Sequence, residues 1–232
     1  MHDLLVAAAD LLLGARCPGC DRAALTLCRA CGVAISPAPA VCQPLPTSRA
    51  AVPSSSALRP VPTVAAGINA DVLRLVLLAW KEKGRHGLTT NLAHLLAASV
   101  ATHAATGHPL VLVPVPTSRR SKRLRGVDLV DSLAHSCVQL LREVGIDTRT
   151  TQALAYARET ADQAGLGALD RRINLQGAFR LRSGRRLAGR DVVVVDDIIT
   201  TGSTVAEAVR VLTDAGHRPV GIAVVAATPR AC

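Results

Sequence analysis

The sequence predicts an α/β protein, in which a parallel β-sheet is flanked by helices and preceded by a small cysteine-rich module. From about residue 64 onward, strand-like apolar runs alternate with segments of helical apolar spacing, the order typical of a parallel sheet covered by helices. One of these runs contains four consecutive valines, which suits a strand buried on both faces. Four of the seven cysteines lie within residues 1–35, ahead of the alternating region.

Composition divides the 232 residues into three predicted regions. Residues 1–35 combine a short amphipathic helix with the cysteines, and residues 36–63 are rich in proline and nearly uncharged, as in an extended linker. Residues 64–232 form the α/β domain, which is long enough for one substantial core. Its predicted strands and helices are, in chain order, strand 64–68, helix 72–82, strand 110–115, helix 129–144, strand 191–195, a helix around 205–212 and strand 220–226.

Charge and aromatic content limit the possible partners. The net charge of +10 and the pI near 10.1 favour polyanions, such as phosphate-rich small molecules, nucleic acid or acidic lipid. The chain has one Phe, one Trp and one Tyr, so base stacking on aromatic platforms is not an expected binding mode.

The first residues do not predict a membrane anchor or an export signal. Asp3 and Asp10 interrupt the apolar run, there is no basic segment ahead of it, and no stretch is long enough to span a bilayer. We therefore expect a cytoplasmic protein with reduced thiols.

Two C-x-x-C pairs, "CPGC" and "CRAC", indicate a metal site. Each pair presents two sulfurs on one tight turn, and a tetrahedral Zn²⁺ accepts four thiolates, here Cys17, Cys20, Cys28 and Cys31. Such a zinc would be structural, because no coordination position is left open. The alternatives are two unrelated reduced pairs or a redox C-x-x-C, and Cys42 is a possible further ligand.

The stretch "VVVVDDIITTGST", residues 192–204, combines two kinds of polar site. Asp196 and Asp197 follow a central strand, where open parallel sheets bind ligands, and carboxylates there suit sugar hydroxyls or a divalent cation. The small hydroxyl residues lead into a helix with Thr204 and Glu207 as a predicted capping box and Gly216 near its end, and helix N-termini bind phosphate. A ribose 5-phosphate has both groups, although a plain strand–cap–helix unit remains an alternative.

This stretch resembles the 13-residue phosphoribosyl pyrophosphate (PRPP) motif of type I phosphoribosyltransferases. Together with "LLAWKEKGRHGLTTNLAHLL", "VPVPTSRRSKRLRG", "RETADQAGLGALDRRINLQGAF" and the cysteine pairs, it resembles the ComF family of phosphoribosyltransferase-like proteins, which is linked to DNA uptake. The resemblance implies a type I phosphoribosyltransferase-like parallel sheet with an N-terminal zinc module.

The resemblance also implies roles for individual residues. Asp196 and Asp197 would hold the ribose hydroxyls directly or through Mg²⁺, and with Arg119 they are the candidate catalytic residues. The 5-phosphate would bind Thr200, Thr201, Gly202, Ser203 and Thr204. Pyrophosphate would bind Thr117, Ser118, Arg119 and Arg120. A loop that closes over the site would contain Arg158, Thr160 and Gln163.

The chain departs from the family pattern in two places. Many members have "GFNQ" after the basic run, where this chain has "GVDL" at residues 126–129. Many also have a third C-x-x-C, of which Cys42 is the only counterpart.

Two functions follow from these observations. The first is a Mg²⁺-dependent phosphoribosyltransferase that uses PRPP and an unidentified acceptor, and that stabilises the departing pyrophosphate with cations such as the basic cluster of residues 119–125. The second is a non-catalytic PRPP sensor whose basic surface binds single-stranded DNA or other nucleic acid.

Overall fold

The structure, a computed structural model, describes residues 14–42, 61–104, 107–158, 175–182 and 187–229. Its strands are β1 (Ala40–Cys42), β2 (Thr63–Ile68), β3 (Leu110–Pro114), β4 (Thr148–Thr150), β5 (Leu154–Tyr156), β6 (Phe179–Leu181), β7 (Asp191–Ile199) and β8 (Pro219–Ala227). Its helices are α1 (Arg29–Ala34), α2 (Asp71–Glu82), α3 (Thr89–Ala101), α4 (Arg119–Arg125), α5 (Leu129–Glu143) and α6 (Ser203–Asp214), with a 3₁₀ turn at His86–Leu88.

Six strands form one sheet in the order β1-β2-β8-β7-β3-β4. All neighbours are parallel except β1, which pairs antiparallel with β2 at one edge. Strands β5 and β6 form a separate antiparallel ribbon. The predicted α/β class with a parallel sheet is therefore confirmed.

The central strand β7 is buried on both faces, as its unbroken valine run predicts. Val193 and Val195 pack into the core formed with α2, α3 and α5, whereas Val192 and Val194 pack into the core formed with α6 and the ribbon. Each buried valine contributes roughly 1.5–3 kcal/mol relative to an exposed one. The strand continues to Ile199, so that the acidic pair lies inside its last four residues and not after its end.

The helix after β7 begins differently from the prediction. Gly202, with φ 77°, is its N-cap and Ser203 its first residue, and no side chain caps it, so the Thr204–Glu207 capping box is wrong. Glu207 is instead buried and accepts hydrogen bonds from Arg210 and from the backbone amide of Phe179 in β6. Glu207 does not cap the helix because its carboxylate contacts the backbone of β6 and thereby joins α6 to the β5–β6 ribbon. The helix ends at Asp214, and Gly216 follows in the left-handed region, as expected.

The region predicted as a linker contains an element that the sequence analysis did not predict. Residues 40–42 form β1, and the amide of Ala38 donates to Ala66 O, so that this part of the region lies along the edge of the sheet. Residues 43–60 and the predicted N-terminal helix lie outside the described residues. Within the described ranges, no helix is both long and apolar enough to cross a bilayer.

Candidate functional site

The acidic pair is buried near the carboxyl end of β7. Asp196 is 8% exposed and Asp197 is 3% exposed. The amide of Asp197 donates to Asp196 Oδ1 at 2.8 Å, and the amide of Ile198 donates to Asp197 Oδ1 at 2.7 Å. One oxygen of each carboxylate is thus bound by the backbone, which fixes the orientation of both side chains.

A lysine that the sequence analysis did not single out completes this cluster. Lys81 Nζ lies 2.6 Å from Asp197 Oδ2, and the Lys81 side chain is 30% exposed while that of Asp197 is 4% exposed. Lys81 is in the last turn of α2, where a positive charge also suits the helix dipole. The sequence does carry a signal for it, because Lys81 continues the i, i+4 spacing of the buried Leu73 and Leu77.

The burial and charges of the cluster shift its ionisation. Burial, reinforced by the charge of Asp197, raises the pKa of Asp196 well above its ordinary value, although Lys81 acts against this. Burial alone would lower the pKa of Lys81, but the carboxylates of Asp197 and Asp196 outweigh it and raise that pKa. The Lys81 ammonium is therefore held in its charged form as the partner of the pair.

The loop of Thr200–Thr204 joins this cluster to the start of α6. Gly202 takes a positive φ of 77°, which glycine adopts at little cost, and it turns the chain from strand into helix. The hydroxyls of Thr201 and Ser203 lie 3.0 Å apart, and Ser203 is buried. The loop therefore places hydroxyl groups at a helix N-terminus, where the amides carry partial positive charge.

The predicted pyrophosphate segment runs beside the acidic pair. Pro114 pairs with Val195, and the amide of Val115 donates to Val195 O at 3.0 Å. Just beyond, Ser118 is the N-cap of α4 and accepts from the amide of Ser121. Arg119 and Arg120 are the first residues of that helix. The ends of β3 and β7 thus bring two of the predicted segments together.

Asp128, in the "GVDL" departure, takes part in this segment. Its Oδ1 accepts from the Thr117 hydroxyl at 2.7 Å, and its Oδ2 lies 2.5 Å from Lys122 Nζ. It is also the N-cap of α5. The hydroxyl of one predicted pyrophosphate residue therefore already has a protein partner.

The predicted closing loop is described only at its edges. Arg158 donates to Gln176 O at 2.9 Å, across the base of the segment that leaves β5 and returns to β6. Thr160 and Gln163 lie outside the described residues.

The four predicted cysteines form one cluster. The sulfurs of Cys17, Cys20, Cys28 and Cys31 all lie within 4.8 Å of one another. Four thiolates around one zinc ion at about 2.3 Å would be about 3.8 Å apart, so this set fits a tetrahedral site with small adjustments. Cys42 lies in β1 and is not in the cluster.

The environment of the sulfurs also fits a metal site. Burial alone would raise the pKa of Cys17, but hydrogen bonds from the amides of Cys28, Gly19 and Cys20 outweigh it and lower the pKa to about 6. Burial and hydrogen bonds to the neighbouring thiols raise the pKa of Cys31. The cluster therefore favours the thiolate of Cys17 and the neutral thiol of Cys31, and a bound cation would favour ionisation of Cys31 as well.

The cysteine module, residues 14–35, packs against α2 and the turn that follows it. A Cβ on Gly19 would lie 2.8 Å from both Cys31 Sγ and Val72 Cγ1, so the glycine allows close contact with α2. Arg85 donates to the backbone carbonyls of Arg16, Leu25 and Thr26 at 3.0, 3.3 and 3.5 Å. The module thus contacts the first turn of the helix that carries Lys81 and the turn that follows this helix.

Comparison with known proteins defines the class first. Residues 87–231 match the phosphoribosyl transferase domain family. This range contains the acidic pair, the Thr200–Thr204 loop and the segment after β3.

Individual relatives then identify the family within this class. The DNA utilization protein YhgH of Escherichia coli O157:H7 is 33% identical over 217 residues, which cover 89% of this chain and 87% of the relative. Competence protein F of Haemophilus influenzae is 31% identical over 156 residues, 66% of each chain. The chain therefore belongs to the ComF family of phosphoribosyltransferase-like proteins, as its sequence predicted.

Among solved structures, a hypoxanthine phosphoribosyltransferase from Trypanosoma cruzi matches with 16% identity and a TM-score of 0.35. The match covers 60% of this chain and 65% of that one. This likeness is too weak to carry a conclusion.

Proposed function

We propose that the protein binds PRPP with Mg²⁺ at the carboxyl end of β7. One observation carries the proposal: the buried pair of Asp196 and Asp197 lies two residues before the Thr200–Thr204 loop, which leads into the N-terminus of α6. Carboxylates accept hydrogen bonds from a sugar diol but repel phosphate, whereas hydroxyls and helix amides attract phosphate. A 5-phosphorylated ribose presents those two groups a few bonds apart.

The acidic pair would hold the ribose. Asp196 and Asp197 would accept its hydroxyls directly or share a Mg²⁺ with the ligand, and Thr200, Thr201, Gly202, Ser203 and Thr204 would receive the 5-phosphate. The backbone bonds to one oxygen of each carboxylate support this, because they leave the other oxygens for partners across the site. One of these, Asp197 Oδ2, currently faces Lys81.

The pyrophosphate would lie toward the end of β3, at Thr117, Ser118, Arg119 and Arg120. The support is that this segment runs beside β7 and opens a helix whose seven residues include five Lys or Arg. Mg²⁺, when bound, would neutralise charge on the departing pyrophosphate.

If the protein transfers the phosphoribosyl group to an acceptor, its residues would act mainly by stabilising the charges that develop during the reaction. Bond breaking at the anomeric carbon builds positive charge on the ribose and negative charge on pyrophosphate. The acidic pair would stabilise the first, and the basic residues of α4, with Arg119 as the predicted catalytic residue, would stabilise the second. The loop with Arg158, Thr160 and Gln163 remains a predicted cover for the site.

A zinc ion in the cysteine cluster would be structural. Four sulfurs fill a tetrahedral shell, so no position remains for water or substrate.

A second candidate is a PRPP sensor that binds nucleic acid without transfer. The net charge of +10 and the exposed Arg120 and Arg123 of α4 favour it, as do relatives named for DNA utilization and competence. In this case PRPP would regulate binding to single-stranded DNA.

Calorimetric titration with PRPP and Mg²⁺ tests the shared part of both candidates. Asp196→Asn should weaken binding about tenfold to a hundredfold, the effect of losing a hydrogen bond to a charged group. Asp214→Asn, at the exposed far end of α6, is the matched control and should bind like wild type. Equal affinity in wild type and Asp196→Asn would refute the proposed site.

Pyrophosphate release separates the two candidates. Release from PRPP in the presence of a nucleobase or single-stranded DNA, lost in Asp196→Asn, supports the transferase. PRPP binding without release under any of these conditions supports the sensor, whose affinity for DNA should fall steeply with added salt.

A further inference from the structure

We infer that Lys81 closes the acidic pair to free divalent cations, so that a metal ion reaches Asp197 only when a ligand brings it. The inference rests on the proposed function in taking this pair as the place where a metal-bound ligand docks. It goes beyond that function because it assigns a specificity-determining role to a residue outside the PRPP motif.

The first argument is the position of the ammonium. Lys81 Nζ is 2.6 Å from Asp197 Oδ2, the oxygen that the backbone does not bind, since the amide of Ile198 donates to Oδ1. A divalent cation that approaches Asp197 through Oδ2 must therefore displace the ammonium. Because Asp197 is 3% exposed, water does little to stabilise the carboxylate while the partners exchange.

The second argument is that Lys81 is held in place from several sides. Its neighbour Trp80 is fully buried and donates from Nε1 to Thr89 Oγ1 at 3.0 Å. The next residue, Glu82, pairs with Arg125 of α4 at 2.9 Å. Arg85 binds three carbonyls of the cysteine module. The last turn of α2 and the residues just after it are thus fixed to three neighbouring parts of the chain, and Lys81 is not a freely moving surface lysine.

The third argument is the charge balance. The Lys81 ammonium, 2.6 Å from Asp197 Oδ2, cancels the charge of that carboxylate, which would otherwise have no counter-charge at this oxygen. Adjacent carboxylates without a counter-charge bind divalent cations well, because oxygen ligands and negative charge are what Mg²⁺ requires. Lys81 opposes that attraction at Asp197, and a metal ion already bound to phosphate oxygens needs fewer protein ligands.

The test is a titration of zinc-loaded protein with Mn²⁺ alone, followed by the electron paramagnetic resonance signal of free Mn²⁺. Wild type should bind more weakly than about 1 mM, and Lys81→Met should bind about tenfold more tightly or better. Lys83→Met makes the same charge change at an exposed position two residues away, and it should behave like wild type. The double variant Lys81→Met/Asp197→Asn should lose the gained site.

Each result of the Mn²⁺ titration either supports or overturns the proposed role of Lys81. Tight Mn²⁺ binding by wild type overturns it, and so does the absence of any gain in a folded Lys81→Met. If Lys81→Met does not fold, Lys81→Gln replaces it under the same criteria, and the wild-type titration stands by itself.

Addition of PRPP separates this inference from the proposed function. If PRPP fails to recruit Mn²⁺ to wild type while the pattern with Mn²⁺ alone is as expected, the PRPP proposal falls and the role of Lys81 stands. If PRPP recruits Mn²⁺ to wild type but Lys81→Met binds Mn²⁺ alone no more tightly than wild type does, the PRPP proposal stands and the role of Lys81 falls.

Discussion

The cysteine cluster and the acidic pair are both groups of like side chains that repel one another when ionised, but the protein stabilises them differently. Four sulfurs lie within 4.8 Å of one another, and the contacts described around them are backbone amides and other thiols. The two carboxylates have an ammonium from their own chain at 2.6 Å. The comparison teaches that a cluster held by amides and thiols calls for a permanent metal ion, whereas a cluster paired with an ammonium has a counter-charge before any ligand binds.

The two regions are joined by one helix. Its first turn packs Val72 against Gly19 and Cys31, and its last turn places Lys81 on Asp197. The cysteine module therefore contacts the helix that brings Lys81 to the candidate site.

Loss of the metal ion should have the largest effect. Cys31→Ser removes one of four ligands, and we expect the zinc content to fall from one per chain toward zero, with a destabilisation of several kcal/mol, because binding free energy at such sites is folding free energy. Zinc analysis and thermal denaturation measure both. Cys137→Ala, a buried thiol in the core of α5, is the control and should keep its zinc. Full zinc content in Cys31→Ser would show that the cluster is not the site.

Breaking the pair of Lys81 and Asp197 should have an intermediate effect. Asp197→Asn leaves the ammonium without its partner, and removal of one member of a fully buried pair costs about 3–5 kcal/mol. Because Lys81 is 30% exposed, we expect less, about 1–2 kcal/mol by chemical denaturation.

A double-mutant cycle sharpens this prediction. Lys81→Met/Asp197→Asn should recover part of the lost stability, since it removes both charges. Strictly additive effects of the two changes would mean that the ion pair contributes nothing to the folded state.

Removing the link between the two regions should have the smallest effect. Arg85→Ala loses three hydrogen bonds to carbonyls of the cysteine module, but they are exposed, so we expect about 1 kcal/mol and slightly faster loss of zinc to a chelator. Arg74→Ala, on the exposed face of α2, should lie within about 0.5 kcal/mol of wild type. An Arg85→Ala that releases zinc no faster than Arg74→Ala would argue that the module folds independently of α2.

The parts of the fold that the sequence predicted are those with strong local patterns. The valine run of β7, the apolar strands β3 and β8 and the helical spacing of α5 each specify their element without reference to the rest of the chain. The paired spacing of the cysteines likewise predicted their cluster.

Lys81, β1 and Glu207, which the sequence analysis missed or predicted wrongly, depend on contacts distant in sequence. The role of Lys81 depends on Asp197, a partner 116 positions away. Strand β1 is three residues long, and it forms by pairing with β2. Glu207 has the spacing of a capping residue, but its tertiary contact with β6 decides its role. Asp128 looked like a departure from a family pattern, and the structure gives it three local partners, Thr117, Lys122 and the amide of Asp131.

A crystal structure of the protein with PRPP and Mg²⁺ is the most direct test of the central claim. We predict the ribose hydroxyls, or a metal ion that bridges to them, on Asp196 and Asp197, and the 5-phosphate against the amides of Thr200–Thr204. PRPP bound elsewhere on the chain, or with its phosphate at the carboxylates and its ribose away from them, would contradict the account.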